Sequence, residues 1–186
     1  MNIYSLINLT LNTNKIRKEF LEEIRISLKS PVLDFGCGNG DCAAFMPDNI
    51  DYIGVDNNRS RIQHARMAYP NRRFILGSFD SLEDYTLLKV QSLIFYGVFH
   101  HLSDNEIKRL FCNPLFAGKT FFSLDPCHAT SLPTYNKIVN FFDRGKYIRS
   151  KSAIIALLKS CLCTVDEIAL GTYNKSYVIL CGKRGV

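Results

Sequence analysis

The sequence predicts an α/β chain: a Rossmann-like seven-stranded sheet, mostly parallel with an antiparallel last strand, with helices on both faces. Three observations carry this reading. From Pro31 onward, short and nearly continuously apolar runs alternate with segments of helical period. The first run leads into Gly36, Gly38 and Gly40, spaced by one residue. The last two runs flank a tight turn, and such a turn joins antiparallel strands only. A chain of 186 residues suits one domain spanning 1–186. Its 47% hydrophobic and 22% charged residues are the balance of a globular protein.

In residues 15–30, Ile16, Phe20, Ile24 and Leu28 recur at four-residue spacing with Leu21 beside them. They predict one apolar stripe of a helix that the Ser30-Pro31 step closes, within an N-terminal helical cap over 1–30. Strands are expected at 32–35, 52–55, 73–76, 92–96 and 120–124, all apolar enough for buried parallel pairing. Helices are expected at 41–46, 59–68, 82–88 and 104–111. The last opens on Ser103-Asp104-Asn105-Glu106, a capping-box pattern. Pro126, Pro133, Asn136, Asn140 and Gly145 break up residues 125–150, which read as an irregular insertion covering the site. A helix at 152–159 and strands at 164–170 and 177–181, around a turn at 171–175, complete the sheet.

The formal charge of +6 favours anionic partners, but Lys and Arg are spread along the chain. Nucleic acid is compatible with that spread and is not indicated by it. The basic residues of 15–29 read as the wet face of an amphipathic helix. Seven cysteines, with no C-x-x-C pair and no His at zinc-ligand spacing, predict no metal site and a reducing, cytoplasmic setting. Residues 1–14 lack a basic n-region and no apolar run approaches the roughly 20 residues of a membrane span. Neither export nor membrane insertion is expected.

The most informative segment is Val32-Leu33-Asp34-Phe35-Gly36-Cys37-Gly38-Asn39-Gly40. Glycines at a strand exit permit positive φ and let a ligand lie against the backbone. About twenty residues on, Ile53-Gly54-Val55-Asp56 ends a strand in a carboxylate, where α/β nucleotide sites grip ribose hydroxyls. A pyridine-dinucleotide fingerprint wants a third glycine three residues after the second, and Asp41 stands there. A pyrophosphate beside that carboxylate would be repelled. There is no G-x-x-x-x-G-K-[ST] loop either, which excludes that route to nucleotide hydrolysis.

Asp34 to Gly40 resembles motif I of the class I S-adenosylmethionine (SAM)-dependent methyltransferases. Ile53-Gly54-Val55-Asp56 resembles the family's second motif, and Phe74-Ile75-Leu76-Gly77-Ser78-Phe79 its adenine-binding segment. Tyr96-Gly97-Val98-Phe99-His100-His101-Leu102 resembles the stretch after its fourth strand, and Leu115-Phe116-Ala117-Gly118-Lys119 the turn before its fifth. The likeness runs from about Lys15 to Cys181. It implies SAM as cofactor, S-adenosylhomocysteine (SAH) as product and no metal. It also implies that Asp34 and Gly36 hold the methionine end, with Cys37, Gly38, Tyr96 and Gly97 alongside. Arg17, in the N-terminal helix, reads either as a solvated charge or as a residue that closes over the SAM carboxylate. Asp56 and Asn57 would take the ribose, and Ser78 with Phe79 the adenine. Ser78 departs from the acidic residue usual in the family, so the adenine contact passes to a backbone carbonyl or to Asp80.

Methyl transfer from a sulfonium is an in-line displacement that mainly needs positioning and the exclusion of water. A general base helps when the acceptor must lose a proton, and His titrates near neutrality. His100 and His101, after the fourth strand, are the candidates, with a structural role for the pair as the alternative. Asp125 is a candidate for orienting an acceptor. In 141–149, Asp143, Arg144, Tyr147 and Arg149 read as a pocket for an anionic or aromatic acceptor, Arg144 and Arg149 clamping an anion. The alternative for the arginines is a surface salt bridge to Asp143 or Glu167. The leading expectation is methyl transfer to O or N of a small molecule. An RNA or protein methyltransferase and a non-catalytic SAM-binding or partner-activating module are the alternatives.

Overall fold

A computed structural model describes residues 13–78, 89–128, 146–167 and 177–185. Seven strands form one sheet: β1 (Val32–Phe35), β2 (Tyr52–Asp56), β3 (Arg73–Leu76), β4 (Ser92–Tyr96), β5 (Thr120–Pro126), β6 (Cys163–Glu167) and β7 (Tyr177–Arg184). Their spatial order is β3-β2-β1-β4-β5-β7-β6. β1 pairs in parallel with β2 on one side and β4 on the other, so Asp34 stands opposite both Gly54 and Ile94. The connections leave β1 in opposite directions across the sheet, and in open α/β sheets the ligand crevice opens at such a switch point. Only β7 runs against the rest, paired antiparallel with β5 and with β6. That is the reversed last strand the sequence predicts.

Strand alternation divides the core into two layers. Leu33, Phe35, Leu93, Phe95 and Phe121 pack on the face covered by α3 (Asp104–Cys112) and α4 (Lys151–Ser160). Val32, Tyr52, Ile94 and Phe122 pack on the face covered by α1 (Thr13–Ile24) and α2 (Arg59–Ala68). Asp34 lies two residues from Val32 in a four-residue strand and therefore points toward the α1 face. Local chemistry sets the helix starts. Asn58 and Ser150 accept the amides of Arg61 and Ala153, and Ser103 and Glu106 form the expected capping box.

Three expectations need correction. α1 ends at Ile24, well short of Pro31, because the amides of Ser27 and Leu28 both turn back to the Ile24 carbonyl. Leu28 still packs on the core from that turn, so the stripe continues without the helix. The helix expected at 41–46 is a single 3-10 turn, Ala43–Phe45. Pro47 forces Met46 into extended backbone (φ −80°, ψ 127°), which leaves no room for a regular helix after Gly40. β5 runs through Asp125 and Pro126, so these two residues belong to the sheet and not to an insertion. The expected helix at 82–88 and the turn at 171–175 lie outside the described residues.

Gly54 shows how tightly β2 is packed beside the glycine loop. A Cβ there would stand 2.7 Å from Phe74 Cδ1 and 2.8 Å from Cys37 Sγ. Gly54→Ala is expected to destabilise the fold by about 1–3 kcal/mol, read as a lower urea midpoint with unchanged slope. An unchanged midpoint would show that the ring and thiol move aside at no cost.

Candidate functional site

The site begins where β1 ends. Gly36, Gly38 and Gly40 take φ of +68°, +57° and +81°, a left-handed path that side chains resist. Gly38 has open space on the side where a Cβ would stand, with no described atom within 4 Å, so a ligand can lie flat on the loop there. Cys37 points the other way: its thiol is buried and its amide bonds the Val55 carbonyl at 3.0 Å. It contributes backbone to the site.

Asp56, at the tip of β2 and nearly buried, fixes the loop. Its Oδ2 accepts the Gly38 amide at 3.0 Å and its Oδ1 the Asn58 amide at 2.8 Å. Asn57 is exposed between them. The Gly77 amide donates to the Asp56 carbonyl at 3.0 Å, which sets Ser78 beside the same tip. Phe79 and Asp80 lie outside the described residues.

Asp34 is 1% exposed. Tyr52 Oη donates to its Oδ2 at 2.5 Å, while Oδ1 has no hydrogen-bond partner among the described residues. Burial pushes this carboxyl up to about 7, with Tyr52, Cys42 and Arg17 pulling it back. Arg17 reaches in from α1. Its Nη2 lies 3.1 Å from Asp41 Oδ2, its Nη1 donates to Asn14 Oδ1 at 2.8 Å, and the guanidinium stands 4.8 Å over the Tyr96 ring. Its Nε is buried without a partner among the described residues. Gly97 follows Tyr96 at positive φ, its amide held by the Leu124 carbonyl at 2.7 Å. Tyr52 and Cys42 were missed in the sequence. The available signal was Tyr-x-Gly-x-Asp: a tyrosine that alternation puts on the α1 face of β2, the face Asp34 shares from β1.

A second group lies beyond β4. His100 is buried in a 3-10 turn, its Nδ1 2.9 Å from Asp125 Oδ1, and the same oxygen accepts the His100 amide at 3.2 Å. Burial raises the Asp125 carboxyl and His100 lowers it. Asp125 Oδ2 has no partner among the described residues. Asp125 thus holds His100. His101 is exposed, its ring 4.0 Å from that of His100. Tyr147 donates its amide to the His100 carbonyl at 2.9 Å and helps line a cavity of about 10 Å³ over His100 and Asp125, room for about one water.

Arg149 corrects the expected anion clamp. Its Nε and Nη2 grip Asp104 Oδ1 at 2.9 and 2.6 Å, Nη2 also donates to the Leu102 carbonyl, and Nη1 donates to the carbonyls of Phe99 and Tyr147. All five guanidinium donors are spent within the protein. Its carboxylate partner among the described residues is Asp104, while Glu167 pairs with Lys151. Asp143 and Arg144 lie outside the described residues. No group of three or more His, Cys, Asp or Glu able to hold a metal occurs among the described residues. No described helix is long and apolar enough to cross a membrane.

Sheet order, switch point and glycine loop together define a Rossmann-like α/β domain. Residues 32–114 match the family model for a methyltransferase domain. The chain is 35% identical over 60 residues to the methyltransferase-named protein 235L of Invertebrate iridescent virus 6, a stretch covering 31% of this chain and 23% of that protein. The chain therefore spans only about a quarter of the length of this curated relative. Its fold is similar to that of YcgJ from Bacillus subtilis (TM-score 0.69, 17% identity, 91% of this chain and 98% of that one). It is also similar to magnesium protoporphyrin IX methyltransferase from Synechocystis PCC 6803 with bound SAH (TM-score 0.67, 16% identity, 94% and 83%). The methyltransferase domain of bacterial CtHen1-C is a third such structure (TM-score 0.71, 12% identity, 94% and 99%). Residues 32–114 thus match a methyltransferase domain in sequence, and the fold is the one these methyltransferase structures share.

The residues present fit SAM. The unpartnered Asp34 Oδ1 suits an ammonium and the unpartnered Arg17 Nε a carboxylate, the two charged ends of the cofactor's amino acid. A pyrophosphate fits poorly. The Gly38 amide is already spent on Asp56, no α-helix starts at the loop, and Asp34, Asp41 and Asp56 surround it.

Arg149→Lys is expected to destabilise the domain by about 1–3 kcal/mol, because an ammonium cannot reproduce five directed donors. Thermal or urea unfolding would check this, and a stability equal to wild type would show that the fork holds nothing.

Proposed function

We propose that this domain binds SAM across the carboxyl edge of its sheet and transfers a methyl group to an oxygen or nitrogen of a small-molecule acceptor. Two buried and complementary atoms at the loop, Asp34 Oδ1 and Arg17 Nε, lack partners among the described residues, and this carries the reading. Asp34 and Arg17 hold the methionine end, with Gly36, Cys37, Gly38, Tyr96 and Gly97 shaping the bed beneath it. Asp56 and Asn57 take the ribose, and Ser78 with Phe79 the adenine. SAM, when bound, supplies an electrophilic methyl group on a good leaving group. The protein has to bring the acceptor in line and keep water out.

His100 is the proposed proton acceptor. With its Nδ1–H donated to Asp125, the imidazole carries its lone pair on Nε2. Tyr147, Asp143 and Arg144 are assigned to the acceptor pocket, with Arg149 bracing Tyr147 and the Phe99 turn from behind. His101 neighbours the base.

An RNA acceptor is the second reading, favoured by one observation. Residues 57–77 contain five arginines and no Asp or Glu. Arg66 and Arg72 spend donors on the carbonyls of Phe74, Met46 and Ile50, whereas Arg59 and Arg73 are exposed.

The test is to incubate the chain with methyl-labelled SAM and a cell extract, then weigh the labelled product. A labelled metabolite is expected; a labelled macromolecule selects the second reading, and no label anywhere contradicts catalysis. With the acceptor in hand, His100→Ala is expected to lower turnover by about 10²–10⁴ while leaving SAM affinity within about twofold. Unchanged turnover ends the base role.

A further inference from the structure

Tyr52 has no part in the chemistry described so far, yet it makes the shortest polar contact on the cofactor side. It opens β2, is 1% exposed, and shares the α1 face with Asp34. Gly54 stands directly opposite Asp34, and from two residues earlier in β2 the Tyr52 ring crosses the diagonal and puts Oη 2.5 Å from Asp34 Oδ2. Burial, and then the neighbouring Asp34, Cys42 and Cys37, push the phenol up, so it stays protonated and its one proton goes to Oδ2. Oδ1 is then the acceptor atom Asp34 has left, buried and without a hydrogen-bond partner among the described residues.

Among the described residues, the other charged and titratable groups around Asp34 are few. Arg17 comes from α1, Asp41 and the thiols of Cys37 and Cys42 from the glycine loop, Tyr96 from the end of β4 and Asp56 from the end of β2. Arg17 is the sole cation in this set, and its Nη2 is already paired with Asp41. A carboxylate so placed has one hydroxyl, the Cys42 thiol and a shared guanidinium to replace its lost hydration, which is why the free protein holds a proton there until about pH 7.

Building on the SAM assignment, we infer that Tyr52 is a positioning residue for the cofactor: it secures Oδ2 so that Oδ1 receives the ammonium, and the arriving ammonium displaces the Asp34 proton into solvent. The balance is simple. The ligand enters as R–NH₃⁺ and keeps its proton, the Asp34 O–H bond breaks, the electron pair stays on the carboxylate, and buffer takes the proton. The free group is raised and the bound form is the carboxylate, so affinity is lost as pH falls below about 7 and levels off above it. The probe's own α-ammonium, beside a carboxylate, keeps its proton throughout pH 5.5–7, so that is the clean window.

SAH carries the same amino-acid end and serves as the probe. Calorimetry of the wild-type chain in buffers of different ionisation enthalpy is expected to show about 0.9 proton released per SAH at pH 6, and a Kd that falls roughly eightfold from pH 5.5 to 6.5. Tyr52→Phe is expected to move that limb up by about one pH unit and to weaken binding roughly fivefold at pH 7, since it removes a hydrogen bond to a charged group. Asp34→Asn is expected to bind SAH more weakly and with no proton release. A purely structural tyrosine would change the melting temperature and leave the pH limb in place, which overturns its role. SAH binding to wild type without proton exchange at pH 6 overturns the inference and leaves the SAM assignment standing. No SAH binding at all brings down both. The wild-type measurement needs no variant to fold.

Discussion

The hydrogen bond from the Gly38 amide to Asp56 ties the glycine loop to the tip of the neighbouring strand, and the rest of the site is arranged around it. β1 sits at the switch point of the sheet, so the loop that leaves it lines the crevice. Positive φ at Gly36, Gly38 and Gly40 lets the chain turn there, and Asp56 holds the turn in one place. The bond also selects the ligand. It consumes the amide that a phosphate would seek and puts a carboxylate where a phosphate would lie. A nucleoside with hydroxyls to offer suits that carboxylate.

At the other end of the crevice the protein carries an unresolved pair of demands. A buried acceptor on Asp34 and a buried donor on Arg17 lack partners among the described residues. Each such atom costs about 1–3 kcal/mol, which a ligand carrying both an ammonium and a carboxylate recovers on binding. Tyr52 occupies the other oxygen of Asp34, and Asp41 pairs with the far end of the Arg17 guanidinium. His100 and Asp125 form a separate buried unit on the β4 and β5 side, roofed by Tyr147 and braced by Arg149.

Most of the sheet was legible in the sequence because its signals are local. Apolar runs, a glycine turn, a strand-ending acid and a capping box each act within a few residues, and each is found where the spacing put it. The reversed last strand followed from one tight turn. What was not legible depends on distant chain. Arg149 reads as an anion clamp until Asp104, 45 residues earlier, takes its fork. Tyr52 reads as ordinary core until strand pairing sets Gly54 opposite Asp34. Asp125 reads as the start of a loop because Pro126 looks like a breaker, yet β7 pairs with both residues. The helix after the glycine loop failed for a local reason: Pro47 outweighs the helical propensity of a short segment.

The central claim is that the crevice is built for a zwitterionic amino acid joined to a nucleoside. The most direct measurement is calorimetric titration of the chain with SAH, with the same thionucleoside lacking its amino-acid end, and with a pyridine dinucleotide. The account predicts heat with SAH, binding at least about tenfold weaker for the truncated nucleoside, and none for the dinucleotide. Equal affinity for SAH and the truncated nucleoside, or binding of the dinucleotide alone, would contradict it.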